Sequence, residues 1–203
     1  MANYVNTNVE FIQINAAAKS KLIEMFQRIQ ERNDYKWFSD IFVEGDLTYD
    51  EVLKYSWTLE NIGPKWCYLE DYDMDTEVPY FSTTSAWSAP LEGLEKLLRE
   101  LAVLDPQMKT TVTYDDEMPN FVGWCVYQGD EMVDSCEYDD EEIREGIFSE
   151  HAHLREGWDE EEVSWKDDDV GLAAEDEYRD LMYEWIGDTQ HQGIQQTLKY
   201  NDD

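Results

Sequence analysis

Hydrophobic periodicity changes between two and 3.6 residues several times over the first 138 positions. That alternation restricts the fold more than any other feature of the chain. Val9-Glu10-Phe11-Ile12-Gln13-Ile14 alternates apolar and polar, as a half-buried strand does. Asn15 then stands where it can cap a helix. Over Ala16 to Arg32 the apolar residues Leu22, Met25, Phe26 and Ile29 fall at i, i+3, i+4 and i+7, one face of a helix.

After an irregular segment at about 33–62 the strand pattern returns. The segment holds the aromatic stretch Trp37, Phe38, Ile41, Phe42 and a short helix expected over Thr48 to Trp57. Ile62 to Leu69 reads as a turn leading into a strand. An acidic loop is expected over Glu70 to Glu77, and a β-branched and aromatic strand over Tyr80 to Trp87. Ser88-Ala89-Pro90 opens a helix with Ser88 or Ala89 at the cap and proline in the first turn. Its apolar stripe is Leu91, Leu94, Leu97, Leu98 and Leu101, and Asp105-Pro106 ends it. Lys109 to Tyr114 is a strand, residues 115–120 turn, Phe121 to Tyr127 is a strand, and Gln128-Gly129-Asp130 turns tightly into Glu131 to Tyr138.

Without the irregular segment the first six elements read βαββαβ, the ferredoxin-like split unit. The expected fold is α+β. Residues 1–138 form a ferredoxin-like antiparallel sheet with helices on one face and an insertion at about 33–62. Residues 139–203 form an acidic, aromatic-rich, largely helical extension.

Charge sets the second constraint. The chain carries 48 Asp and Glu against 15 Lys and Arg, and residues 102–203 hold 30 of those acids with 6 bases. A field of one sign on this scale repels nucleic acid and anionic lipid and attracts basic surfaces. Hydrophobic content of 42% and 8 tryptophans argue against wholesale disorder. In the acidic half the carboxylates interleave with Tyr138, Phe148, Trp158, Trp165, Tyr178, Tyr183 and Trp185, a mixture suited to a protein interface. The expected partner-binding residues are Asp139, Asp140, Glu141, Glu142, Trp158, Asp159, Glu160, Glu161, Glu162, Trp165, Asp167, Asp168 and Asp169.

Candidate chemistry is thin. Asp71, Asp73 and Asp75 have the spacing that starts a calcium loop, but Thr76 replaces the required glycine and Ser82 the closing glutamate. His151-Ala152-His153 beside Glu150 and Glu156 offers two imidazoles without a zinc motif. Cys67 and Cys125 lie in strand-like runs that favour an inert, buried thiol, and with Cys136 they form neither CxxC nor a zinc pattern. No nucleophile elbow, P-loop or dinucleotide fingerprint occurs. No catalytic residue, cofactor or metal is expected. Tyr68, Tyr80, Phe81 and Trp87 invite comparison with an RNA-stacking sheet, yet a polyanion ligand needs cations this chain lacks. They read as core or as a protein-binding patch.

Gly63-Pro64-Lys65-Trp66-Cys67 and Phe81-Ser82-Thr83-Thr84-Ser85-Ala86-Trp87-Ser88-Ala89-Pro90 resemble the Api92-like (YubB-type) proteins of phages and conjugative plasmids. That family shows a "WGTKW" turn, a strand ending "TAWSPP" and a "YxExGxxFxG" strand pair, loosely followed here by Tyr114 to Gly123. The resemblance spans about residues 60–138. It implies a ferredoxin-like fold and a mobile-element origin, and supplies no site.

Together these readings lead to a non-catalytic acidic protein of a phage or mobile element, located in the cytoplasm of a bacterial host. Its expected partner is a basic host protein, in the concrete case a nucleic-acid-binding defence protein blocked by DNA mimicry. Neither nucleic acid nor membrane is an expected partner. Oligomeric state is left open. The alternative is a structural or regulatory accessory module whose acidity serves solubility only.

Overall fold

The computed structural model describes residues 3–32, 54–166 and 169–200. The chain divides into two compact units. Unit 1 comprises Met1–Met118 and Gly123–Cys136, and unit 2 comprises Pro119–Val122 and Glu137–Asp203.

Unit 1 is built on the expected βαββαβ order. The elements are β1 (Tyr4–Gln13), α1 (Ala16–Arg32), α2 (Tyr55–Asn61), β2 (Cys67–Asp73), β3 (Tyr80–Ala86), α3 (Leu91–Ala102) and β4 (Lys109–Asp116). They are followed by β5 (Phe121–Gln128) and β6 (Glu131–Asp139). The six strands lie in the order β2-β3-β1-β4-β5-β6. β1 pairs antiparallel with both β3 and β4, and β2 pairs antiparallel with β3. The first four strands thus have the ferredoxin-like arrangement, extended by a hairpin.

Register explains the core. Val9 lies opposite Phe81 on one side and Val112 on the other, so every second residue of these strands shares a face. Val5, Val9, Phe11, Phe81 and Val112 are buried there with Leu22, Phe26 and Ile29 of α1 and Leu94, Leu97, Leu98 and Leu101 of α3. Phe26 touches Phe81 and Tyr72 at centroid distances of 5.5 and 4.5 Å. Burying side chains of this size contributes about 1.5–3 kcal/mol each.

Local signals place the helices. Asn15 Oδ1 accepts from the N–H groups of Ala17 and Ala18, the cap the sequence predicts. Its own N–H donates to the buried Asp105 carboxylate at 2.5 Å and its amide donates to Leu104 O, which ties the start of α1 to the end of α3. α2 ends at Asn61, and Gly63 follows at a φ of +105°, a conformation that excludes most side chains.

Several boundaries differ from expectation. β1 begins five residues early because Val5 and Thr7 continue the buried row, while Asn6 and Asn8 sit on the polar face and hide the pattern. The acidic stretch from Glu70 to Asp73 is strand, with only the residues after it in a turn; Leu69 and Met74 are buried and anchor it. Asp115 and Asp116 end β4 instead of opening a turn. Pro90 is the N-cap of α3, one place before the expected first turn, and no side chain caps that helix. The predicted helix runs on to Asn61, past Trp57; its part before Lys54, with Thr48, Trp37, Phe38, Ile41 and Phe42, lies outside the described residues.

Unit 2 contains α4 (Asp140–Glu150), a 3-10 helix (Ala152–Gly157), a small hairpin of β7 (Trp158–Asp159) and β8 (Ser164–Trp165), and α5 (Asp169–Tyr200). The hairpin was not foreseen, because two-residue strands carry no periodicity. The core comprises Val122, Ile143, Ile147, Phe148, Leu154, Ala174, Met182 and Ile186, and half-buried aromatics pack around it. α4 and α5 approach closely where Gly146 meets Trp185. A Cβ at 146 would fall inside the indole ring's van der Waals envelope.

Candidate protein-binding surface

The expected binding residues fall into three local settings. Asp139 is the N-cap of α4. Its carboxylate accepts from the Glu142 N–H at 2.8 Å while the Glu142 carboxylate accepts from the Asp139 N–H at 3.1 Å, a complete capping box. Asp140 and Glu141 occupy the first turn, where the helix dipole favours anions. Asp159 shapes the hairpin tip, its Oδ1 accepting from the N–H groups of Glu161 and Glu162. Glu160, Glu161 and Glu162 are exposed there. Asp169 sits in the first turn of α5, and Asp167 and Asp168 lie outside the described residues.

Trp158 and Trp165, expected at a binding surface, are half-buried. They face each other across the hairpin, ring centroids 5.2 Å apart and nearly perpendicular, and both meet Phe148 edge-on. Phe148 is 1% exposed and also touches Tyr178. Burial pushes the Tyr178 hydroxyl pKa up, with Arg144 partly opposing. Trp158, Trp165 and Tyr178 pack, half-buried, around the Phe148 end of the unit 2 core.

Residues 137–203 hold 23 acids and 5 bases. Four of the bases are engaged within the unit. Arg144 lies over the Trp158 ring at 4.6 Å and pairs with Asp140. Arg155 lies over Phe148 and pairs with Glu145 and Glu160. Arg179 meets Glu175 and Asp176, and Lys166 donates to Glu156 O. A large carboxylate excess faces outward.

The excess is most ordered on α5, within the extension expected to be largely helical. Asp176, Asp180, Glu184 and Asp188 recur every four residues and all are exposed, with Tyr183 57% exposed beside them. The step along the axis is about 6 Å. Residues 169–188 carry seven acids. Over about 30 Å of helix that is one carboxylate per roughly 4 Å, close to the one phosphate per about 3.4 Å of a single DNA strand. From Thr189 to Tyr200 α5 has no acid, a charge boundary within one helix.

The remaining candidates resolve simply. Asp73 Oδ1 accepts from the Asp75 N–H, an ordinary turn at the former calcium-loop candidate. His153 Nε2 lies 2.9 Å from Glu177 Oε1, and the His151 and His153 rings are 6.2 Å apart. Among the described residues no three His, Cys, Asp or Glu side chains are arranged to hold a metal ion. Cys67 and Cys125 are buried, and desolvation pushes the Cys67 thiol pKa up to about 12.

The four aromatics of the RNA comparison do not share a face. Phe81 is fully buried under the helices, Tyr68 and Tyr80 lie on the opposite face, and Trp87 follows the strand at a φ of +75°. The segments that carry the family resemblance are neighbours: the Ala86 N–H donates to Trp66 O, and Ser85 Oγ donates to Ser88 O at 2.7 Å. They build a corner of the sheet. No described helix is long and apolar enough to cross a membrane.

Fold and surface together define an α+β protein with a ferredoxin-like sheet and a small, acidic helical unit. Compared with protein-family models, curated proteins and solved structures, the chain finds no match in any of the three.

Proposed function

We propose that this is a non-catalytic binding protein of a phage or mobile element that occupies a basic, nucleic-acid-binding surface of a host protein. In the concrete form it is a DNA mimic that inhibits a defence nuclease. The observation that carries this reading is the run of seven carboxylates over residues 169–188 of α5, four of them an exposed row at every fourth residue, with a linear charge density close to that of a nucleic-acid strand. Like charges at i, i+4 destabilise an isolated helix by about 0.2–0.5 kcal/mol per pair. A ladder of them is a poor way to gain solubility and a direct way to meet a row of Lys and Arg. The cytoplasm is the compartment where such targets work.

The test is displacement. Immobilised protein is exposed to nuclease-treated bacterial lysate at about 50 mM salt, then washed at about 200 mM, the range over which duplex contacts weaken steeply. Retained proteins should elute in that range, bind an added duplex DNA probe, and release that probe when free protein is added. If retained proteins keep the probe, or no nucleic-acid binder is retained, the proposal fails.

The accessory-module reading draws on one observation, the use of Asp139, Glu142 and Asp159 in caps and turns. It predicts that neutralising Asp180 and Glu184 leaves the biological effect intact.

A further inference from the structure

Unit 2 handles its own arginines in a repeated way. Arg144 is held between the Trp158 face and the Asp140 carboxylate, and Arg155 between the Phe148 face and the carboxylates of Glu145 and Glu160. Aromatic face plus carboxylate is the chemistry that recognises a guanidinium. A third site of this composition lies between α4 and α5. It is a pocket of about 240 Å³ whose wall is Trp185, Leu181 and Ile147 and whose polar lining includes Glu150, Glu184 and Asp188, with His151 beside Glu150. No lysine or arginine lines it.

The size suits a side chain. The pocket lies below the ~300–1,000 Å³ of typical small-molecule sites and well above the ~30 Å³ share of one water. Its wall is fixed in place: the Trp185 indole is seated against Gly146 and meets the Tyr138 ring edge-on at 5.5 Å. An arginine stem can lie along Leu181 and Trp185 while its head reaches the carboxylates, as long cationic side chains do. Glu184 and Asp188 also belong to the α5 ladder, so the pocket opens on the same acidic row.

We infer that this pocket takes an arginine side chain from the basic partner. The inference rests on the proposed function for the partner's charge and adds the point of contact. It converts a diffuse field into a specific anchor of the hot-spot kind.

The probe is the tripeptide acetyl-Gly-Arg-Gly-amide, with the citrulline tripeptide as its uncharged isostere. Binding to the full chain is followed by the indole ¹H–¹⁵N signal of Trp185, assigned with Trp185→Phe. The arginine tripeptide should move that signal saturably and the citrulline tripeptide should bind at least about tenfold more weakly, the scale of a charge-assisted hydrogen bond. Glu184→Gln with Asp188→Asn should weaken binding by about tenfold or more, while Glu161→Gln with Glu162→Gln at the hairpin tip should change it less than about twofold. Thermal melts confirm that both double variants fold.

Equal shifts from citrulline, or an unmoved Trp185 signal, overturn the pocket. Equal weakening by the two double variants also overturns it, because binding would then follow the overall field. These outcomes leave the broader acidic-surface reading standing, since that reading is decided by DNA displacement.

Discussion

The two units are both acidic, yet they bury very different interiors. Unit 1 places a row of aliphatic and phenylalanine side chains between a six-stranded sheet and two helices, with 25 acids and 10 bases across its residues. Unit 2 carries nearly as many acids, 23, with 5 bases in about half the length. Its buried core is small, seven non-aromatic apolar side chains and Phe148, shielded by half-buried aromatic rings, and two of its arginines lie over ring faces. A small core leaves little stability in reserve. Repulsion among carboxylates therefore weighs more heavily there, and rings that bury large areas per residue are the compensating choice.

The largest expected effect comes from Phe148, where four neighbours converge. Phe148→Ala should destabilise unit 2 by about 3–5 kcal/mol. Amide exchange should then lose protection through α4 and α5 while β1, β3 and β4 keep theirs. Equal loss in the sheet would show that the units unfold as one and would break the comparison.

Next is the α4–α5 approach. Gly146→Ala forces the Trp185 ring to move and should lower stability by about 1–3 kcal/mol. Gly187→Ala on α5 meets nothing within 4 Å and should raise it by about 0.4–1 kcal/mol. Denaturant melts of the two variants should move in opposite directions. A neutral Gly146→Ala would mean the helices are not held at that distance.

The carboxylate ladder gives a smaller, salt-dependent effect. Glu184→Gln removes two like-charge i, i+4 pairs, worth about 0.4–1 kcal/mol together. Melting temperature should rise at low ionic strength, and the gain should vanish near 1 M salt, where the Debye length is about 3 Å. A gain that persists in high salt would point to packing instead of charge.

The smallest effect lies in unit 1. Burial raises the Asp115 carboxyl pKa, a hydrogen bond from Asn6 partly opposing it and the neighbouring Asp116 adding to the rise. A folded-state pKa above the unfolded one means the protonated form favours folding. That contribution is complete below the unfolded value, about 3.8, and is lost as pH rises through the folded value. Asp115→Asn should therefore raise the melting temperature slightly at pH 7 and have no effect below about pH 3.8. A destabilising substitution at neutral pH would reverse the sign.

Most of unit 1 was legible because its periodicities are long. Leu94, Leu97, Leu98 and Leu101 announce a helix, and the alternation around Phe11 a strand. Asp71 and Asp73 concealed the end of β2, since acids signal loop locally and only pairing with Ser82 and Tyr80 makes them strand. In unit 2 the acids were visible but their assignments were not. Capping use of Asp139 and Glu142 follows a readable motif, Asp-x-x-Glu, whereas nothing local marks Trp158 and Trp165 as interior. The pocket beside Trp185 had no signal at all, because it is formed by residues from two helices.

By itself the sequence determined the βαββαβ order, the Asn15 cap and the sign and uneven distribution of charge, since these depend on neighbours within a few positions. Only the tertiary structure decided which tryptophans are buried, which arginines are neutralised and which carboxylates share a row. Those outcomes depend on contacts between residues far apart in the chain, and burial and Coulomb energy are set by distance in space.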